Sequence, residues 1–162
     1  MCAGLQRGHR VCGVDRELVA AQAMVQALAP SHRESVELIQ ADLEGAAWPL
    51  VDASAHRHFD AVVVTNYLWR PLMPDLLQSL APGGVLLYET FAAGNETVGR
   101  PARADFLLRP GELLQVCKDL HVVAYEHGFA TAPERFVQRI AAVRPTSQNL
   151  TPGEVRGHAL SG

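Results

Sequence analysis

The sequence predicts an α/β fold in which a mostly parallel sheet carries helices on both faces and finishes in an antiparallel hairpin. Three observations lead there. Short apolar segments alternate with segments of helical spacing, the pattern of βα units. The run Ala61-Val62-Val63-Val64 is continuous rather than alternating, as expected of a strand buried on both faces of a parallel sheet. The connection from Gly128 to Pro133 is too short to hold a crossover helix, so the strands flanking it are expected to pair antiparallel.

Each element follows from local chemistry. Arg10 to Val14 is a short apolar strand that ends at Asp15. A helix is expected from about Arg16 to Ala29, because Leu18, Ala21, Val25 and Leu28 recur at helical spacing and Pro30 stops the run. Val36 to Gln40 forms a second strand, ending at Ala41-Asp42, and Glu44 to His58 is irregular, with Gly45, Pro49 and several small residues. The third strand is Phe59 to Thr65. Pro74 suits the first turn of a helix to Leu80, with Leu76, Leu77 and Leu80 as its apolar face, and Pro82-Gly83-Gly84 ends it. Val85 to Tyr88 is a strand that runs into Glu89-Thr90-Phe91. The polar stretch Ala92 to Arg109 is long enough to be a functional or mobile loop. Pro110 opens a helix with Leu113, Leu114, Cys117 and Leu120 on one face, and strands His121 to Glu126 and Arg135 to Val143 close the fold.

Length and composition bound the function. The 162 residues allow one domain, taken as 1–145, and the polar, Gly-rich segment 146–162 is expected to be a flexible tail. With 48% hydrophobic and 19% charged residues the chain can build a core. A net charge of −3 argues against a nucleic-acid or anionic-membrane partner. No stretch approaches the roughly 18 apolar residues of a spanning helix, and Met1 to His9 has no apolar signal core. Lys118 is the only lysine, so a phosphate-binding lysine after a glycine loop is absent. The three cysteines, Cys2, Cys12 and Cys117, form no CxxC pair and read as reduced thiols of a cytoplasmic protein.

In open α/β sheets, ligands bind beyond the carboxyl ends of the strands. Those ends here are Asp15, Asp42, Asn66-Tyr67 and Glu89-Thr90, so each apolar strand terminates in polar groups. A carboxylate can accept both hydrogen bonds of a vicinal diol, which suits Asp15 to a ribose, and Asp42 to an exocyclic amine such as that of adenine. The competing role for Asp15 is to cap the following helix. For Tyr67 and Trp69 it is to cover the edge of the core.

The ordered set Gly8-His9-Arg10-Val11-Cys12-Gly13-Val14-Asp15, Leu38-Ile39-Gln40-Ala41-Asp42-Leu43-Glu44, Phe59-Asp60-Ala61-Val62-Val63-Val64 and Leu80-Ala81-Pro82-Gly83-Gly84-Val85-Leu86-Leu87 resembles a class I S-adenosylmethionine-dependent methyltransferase. Asn66 to Pro71 and Tyr88 to Phe91 are similar to the small bacterial branch related to tellurite-resistance methyltransferases. The resemblance covers about residues 8 to 144. It implies a Rossmann-like sheet, S-adenosylmethionine as cofactor and a small-molecule methyl acceptor. It further implies that Asp15 binds the ribose, that Asp42 and Leu43 hold the adenine, and that Asn66 and Tyr67 lie by the methionine moiety. Trp69, Arg70, Glu89, Thr90 and Phe91 would face the acceptor. Transfer is an in-line displacement at a sulfonium methyl that needs alignment more than acid–base help, so no catalytic residue and no metal are nominated.

The family's glycine-rich turn, acidic-x-x-x-Gly-x-Gly after a first strand, is not found ahead of Gly8, and Met1 to Arg7 resembles the end of the helix that follows that turn. The expectation is therefore a domain short of its first strand, which in the family lies between the strands that start here at Arg10 and Phe59. The alternatives are a catalytically inactive remnant or binding module and, less well matched, an NAD-dependent oxidoreductase. Arg100, Arg103 and Arg109 are candidates for an acidic acceptor or for a solvated loop face. His56 and His58 lack further metal ligands at suitable spacing, and Tyr125 and His127 are candidates for a pocket rim.

Overall fold

A computed structural model describes residues 8–45, 47–52 and 55–146. Within the expected tail it describes only Thr146; the other tail residues and Met1 to Arg7 lie outside the described residues. The chain divides into two compact units, Met1–Val51 and Asp52–Gly162.

In the first unit, β1 (Val11–Asp15) and β2 (Val36–Gln40) pair in parallel, with Val11 opposite Val36 and Asp15 opposite Gln40. The intervening helix is shorter than its apolar period suggests. Asp15 Oδ1 accepts the Glu17 N–H at 3.0 Å, and this turn holds the chain out of helix until α1 (Val19–Gln26). The expected stripe is still the inward one, because Leu18 is buried and Ala21, Val25 and Leu28 are half-buried. Pro30 does more than stop this helix. It sits in the first turn of a separate one-turn helix, α2 (Pro30–Arg33), where its missing N–H costs nothing.

The irregular stretch contains two-residue strands β3 (Val51–Asp52) and β4 (Ala55–His56), which pair with each other. In the second unit, β5 (Phe59–Thr65), β6 (Leu80–Phe91), β7 (His121–Thr131) and β8 (Glu134–Val143) form a four-stranded sheet of order β5-β6-β8-β7. β5 and β6 are parallel, whereas β8 is antiparallel to both β6 and β7. The closing hairpin is thus antiparallel, as its short connection requires, and its strands reach to Thr131 and Glu134. Among the described residues β1 pairs only with β2 and β5 only with β6.

The register sorts the second sheet into two faces. Val62-Leu86, Val64-Tyr88-Ile140 and Thr90-Gln138 lie on one face, where Leu86, Tyr88, Thr90, Gln138 and Ile140 are all buried. Against it pack α3 (Met73–Gln78), preceded by a 3-10 turn at Arg70–Leu72, and α4 (Glu112–Val116). Met73, Leu76, Leu113 and Cys117 are buried there. Leu114 is 40% exposed and off the packed face. The opposite face is open: Val63 is 63% and Leu87 44% exposed. This corrects the expectation that β5 is covered on both sides; a continuous apolar run does not by itself reveal how many layers cover it.

Pro82-Gly83-Gly84 was expected to lie between helix and strand, but β6 begins at Leu80 and passes through it. A register irregularity between Phe59 and Ala61 takes up the extra residues. A Cβ on Gly84 would lie 2.8 Å from the carbonyl oxygens of both Ala81 and Phe59, so only glycine lets the backbones approach here. The long loop is not structureless. It contains 3-10 turns at Asn95–Thr97 and Ala104–Phe106 and is closed by a bridge between Ala92 and Leu108.

Candidate functional site

In the first unit, Asp15 and Asp42 follow adjacent parallel strands at their carboxyl ends, and both side chains are exposed. They share one local geometry. Asp15 Oδ1 accepts from the Glu17 N–H at 3.0 Å and Asp42 Oδ1 from the Glu44 N–H at 2.9 Å. Each turn fixes the carboxylate and engages one oxygen, and a carboxylate retains acceptor capacity beyond one such bond. Asp15 does not cap α1, whose N-cap is Leu18. Leu43, next to Asp42, is half-buried.

In the second unit, β5 ends in an unusual turn. Asn66 has φ 53° and is, among the described residues, the one non-glycine residue with positive φ. Its N–H donates to the Glu89 carbonyl at 2.9 Å, and the Tyr88 hydroxyl donates to the Tyr67 carbonyl at 2.8 Å. The turn is thus tied twice to β6. Burial, with smaller contributions from Tyr67 and Glu112, pushes the Tyr88 hydroxyl well above its ordinary range, so it remains a donor. Asn66 is exposed, while Tyr67 and Trp69 are half-buried.

Arg70 is engaged within the chain. Its Nε donates to Glu112 Oε1 at 2.7 Å and Nη2 to Oε2 at 2.9 Å. Nη1 also donates to the Asp105 carbonyl at 2.7 Å, and Nη2 to that of Leu107 at 2.9 Å. This guanidinium clamps the long loop to α4. Burial alone would raise the Glu112 carboxyl, but hydrogen bonds from Arg70 and the Arg109 backbone, with the charges of both arginines, outweigh it and hold it below its ordinary value. Asn95 and Gln138 complete the loop's support. Asn95 Nδ2 donates to the Pro101 carbonyl at 3.0 Å and its Oδ1 accepts from the Phe136 N–H at 3.2 Å. Gln138 Nε2 donates to the Arg109 carbonyl at 2.6 Å.

The Glu89-Thr90-Phe91 segment is divided by the pleat. Thr90 points into the buried face, whereas Glu89 lies on the open one. There Thr65, Glu89, Arg139 and Glu126 form one cross-strand row, beside the apolar row Val63, Leu87, Ala141 and Ala124. Together they line a shallow depression of about 340 Å³. Glu89 is bonded by Arg135 Nη2 at 2.8 Å and Arg139 Nε at 2.6 Å, and Arg139 Nη1 reaches Glu126 at 3.0 Å. Sequence reasoning missed Arg135 and Arg139. Their spacing of four places them on one face of a strand, but only the register with β6 brings them to Glu89.

Other candidates resolve into structure. Arg103 pairs with Asp105 at 3.0 Å on the surface, where such pairs contribute little. His56 Nε2 lies 2.9 Å from Asp75 Oδ1. Burial pushes the Cys117 thiol up to about 11, leaving it unreactive at neutral pH. Tyr125 is half-buried on the α4 side and His127 is exposed. No helix among the described residues is long and apolar enough to cross a membrane.

No protein-family model and no curated protein matches the sequence. Solved structures do match. The glycopeptide N-methyltransferase MtfA is 18% identical, with a TM-score of 0.57 over 88% of this chain and 77% of that one. A S-adenosylmethionine-dependent methyltransferase from Methanosarcina mazei is 14% identical, with a TM-score of 0.60 over 90% of this chain and 87% of its own. TehB from Haemophilus influenzae is 15% identical, with a TM-score of 0.58 over 85% of this chain and 50% of its own. At these identities the likeness is one of fold: the chain has the fold of class I S-adenosylmethionine-dependent methyltransferases.

Proposed function

We propose that this chain is a S-adenosylmethionine-dependent methyltransferase that acts on a small-molecule acceptor. The observation that carries the reading is the pair Asp15 and Asp42, two exposed carboxylates at the carboxyl ends of adjacent parallel strands, each accepting the backbone N–H two residues on. MtfA, of similar fold, has been solved with S-adenosylmethionine and with S-adenosylhomocysteine. When bound, S-adenosylmethionine supplies a methyl carbon activated by its sulfonium. In the first unit Asp15 would accept from the ribose hydroxyls, and Asp42 with Leu43 would hold the adenine. In the second unit, Asn66 and Tyr67 on the turn after β5 are the residues that the resemblance assigns to the methionine end. Trp69 and Phe91 would contact the acceptor and Glu89 would border it, while Arg70 and Thr90 act from behind, one by clamping the loop and the other by packing β6. The part of these residues would be to align the acceptor with the methyl carbon, and no catalytic residue is nominated.

A second reading is a binding module without transfer activity. Calorimetric titration with S-adenosylhomocysteine tests the cofactor site. Saturable binding is expected, weakened at least about tenfold in Asp15→Asn and Asp42→Asn, the loss of one charge-assisted hydrogen bond each. No binding at millimolar ligand sinks the reading, and binding of NADH in its place points to an oxidoreductase. Binding without methyl transfer to any small-molecule acceptor favours the module.

A further inference from the structure

The open face of the second sheet carries a charge arrangement that the resemblance did not supply. Arg135 and Arg139 both reach the Glu89 carboxylate, one oxygen each, at 2.8 and 2.6 Å. Two cations on one anion leave a local excess of one positive charge. The remaining acid of the row, Glu126, has a 68% exposed side chain, so water and salt weaken its hold on Arg139. Glu89 itself offers little repulsion to an incoming anion, because both of its oxygens are already neutralised.

Arg135 is the more telling of the two. Its side chain is only 21% exposed. Its Nε is buried and has no hydrogen-bond partner among the described residues. A guanidinium cannot shed its proton to escape this position. Its terminal nitrogens, one of which reaches Glu89, are the donors this side chain can offer a ligand. The strongest partner for a guanidinium N–H is a carboxylate oxygen. Beside Arg139 and Glu89, Val63, Leu87 and Ala141 provide an apolar floor for the body of an organic molecule, and Arg135 reaches this site through Glu89.

We propose that Arg135 and Arg139, held by Glu89, form a recognition site for a carboxylate-bearing small molecule. Given the methyltransferase reading, on which this assignment rests, that molecule is the methyl acceptor. The acidic-acceptor cations then come from β8, not from Arg100, Arg103 or Arg109 of the loop. Glu89 serves as a positioning residue that spreads the two guanidinium groups.

The test uses the full 15N-labelled chain and reads the arginine Nε–Hε resonances by NMR while malonate is added at constant ionic strength. The Arg135 and Arg139 signals are expected to shift saturably with malonate and not with neutral malonamide. Arg135→Gln and Arg139→Gln are each expected to weaken malonate at least about tenfold, one charge-assisted contact. Glu126→Gln is expected to tighten it, a change that a purely structural role would not produce. Shifts that chloride reproduces, or unchanged malonate binding in both arginine variants, overturn the site. S-adenosylhomocysteine binding is scored separately at the Asp15 and Asp42 amides. Malonate binding without it upholds the anion site and removes only the acceptor assignment; the reverse removes only the anion site.

Discussion

Asn66 concentrates the residue-scale argument. A side chain in the left-handed region costs about 1 kcal/mol, least for asparagine and nothing for glycine. The chain tolerates this at the end of β5, where the Glu89 and Tyr88 hydrogen bonds define the turn. Strain of this kind is worth keeping where a side chain must be aimed. Asn66→Ala is therefore expected to lower stability by about 1 kcal/mol, whereas Asn66→Gly stays within about 0.5 kcal/mol of the parent. Both are expected to lose affinity for S-adenosylhomocysteine. Chemical denaturation and calorimetry on the two variants check this, and full affinity in Asn66→Gly removes Asn66 from the cofactor site.

At the scale of elements, α4 shows how packing selects among residues of equal hydrophobicity. Leu113 and Leu114 are neighbours in a five-residue helix, yet Leu113 is fully buried and Leu114 points to solvent. Leu113 and Cys117 lie one turn apart on the face that meets β8. Leu113→Ala is expected to cost about 2–5 kcal/mol, by lost burial and the cavity left behind. Leu114→Ala is expected to change stability by less than about 0.5 kcal/mol. Urea midpoints separate the two, and comparable losses would mean that the helix face is misassigned. A helix this short owes its stability to such contacts and to Gln138, whose amide oxygen accepts the Leu113 N–H at 3.3 Å.

At the scale of the molecule, the Arg70–Glu112 pair links loop stability to pH. The folded chain holds the Glu112 carboxyl below its ordinary value, so it binds that proton less readily than the unfolded chain does. The contribution is complete above the ordinary carboxylate range and is lost as pH falls through it towards the folded value. The parent is expected to lose more thermal stability between about pH 6 and pH 3 than Glu112→Gln, which has no such carboxyl to protonate. Parallel melting curves that keep a constant separation across this range would refute the linkage.

The strands were legible because an apolar run bounded by Gly, Pro and Asp marks itself: β1, β2 and β5 lie within one residue of their expected bounds. The antiparallel end was legible because a short connection permits nothing else. Helix α1 was less so, since the Asp15 turn competes with helix for the same N–H groups. Of the candidate site, the sequence alone determined which polar groups stand at strand ends, because such groups follow the end of each apolar run. Tertiary structure decided what those groups are free to do. It turned Thr90 inward by the pleat, engaged Arg70 with Glu112, opened the Val63 face, and set Arg135 and Arg139 on Glu89. The physical reason is that strand register and long-range pairing depend on contacts between residues dozens of positions apart, which no local pattern encodes.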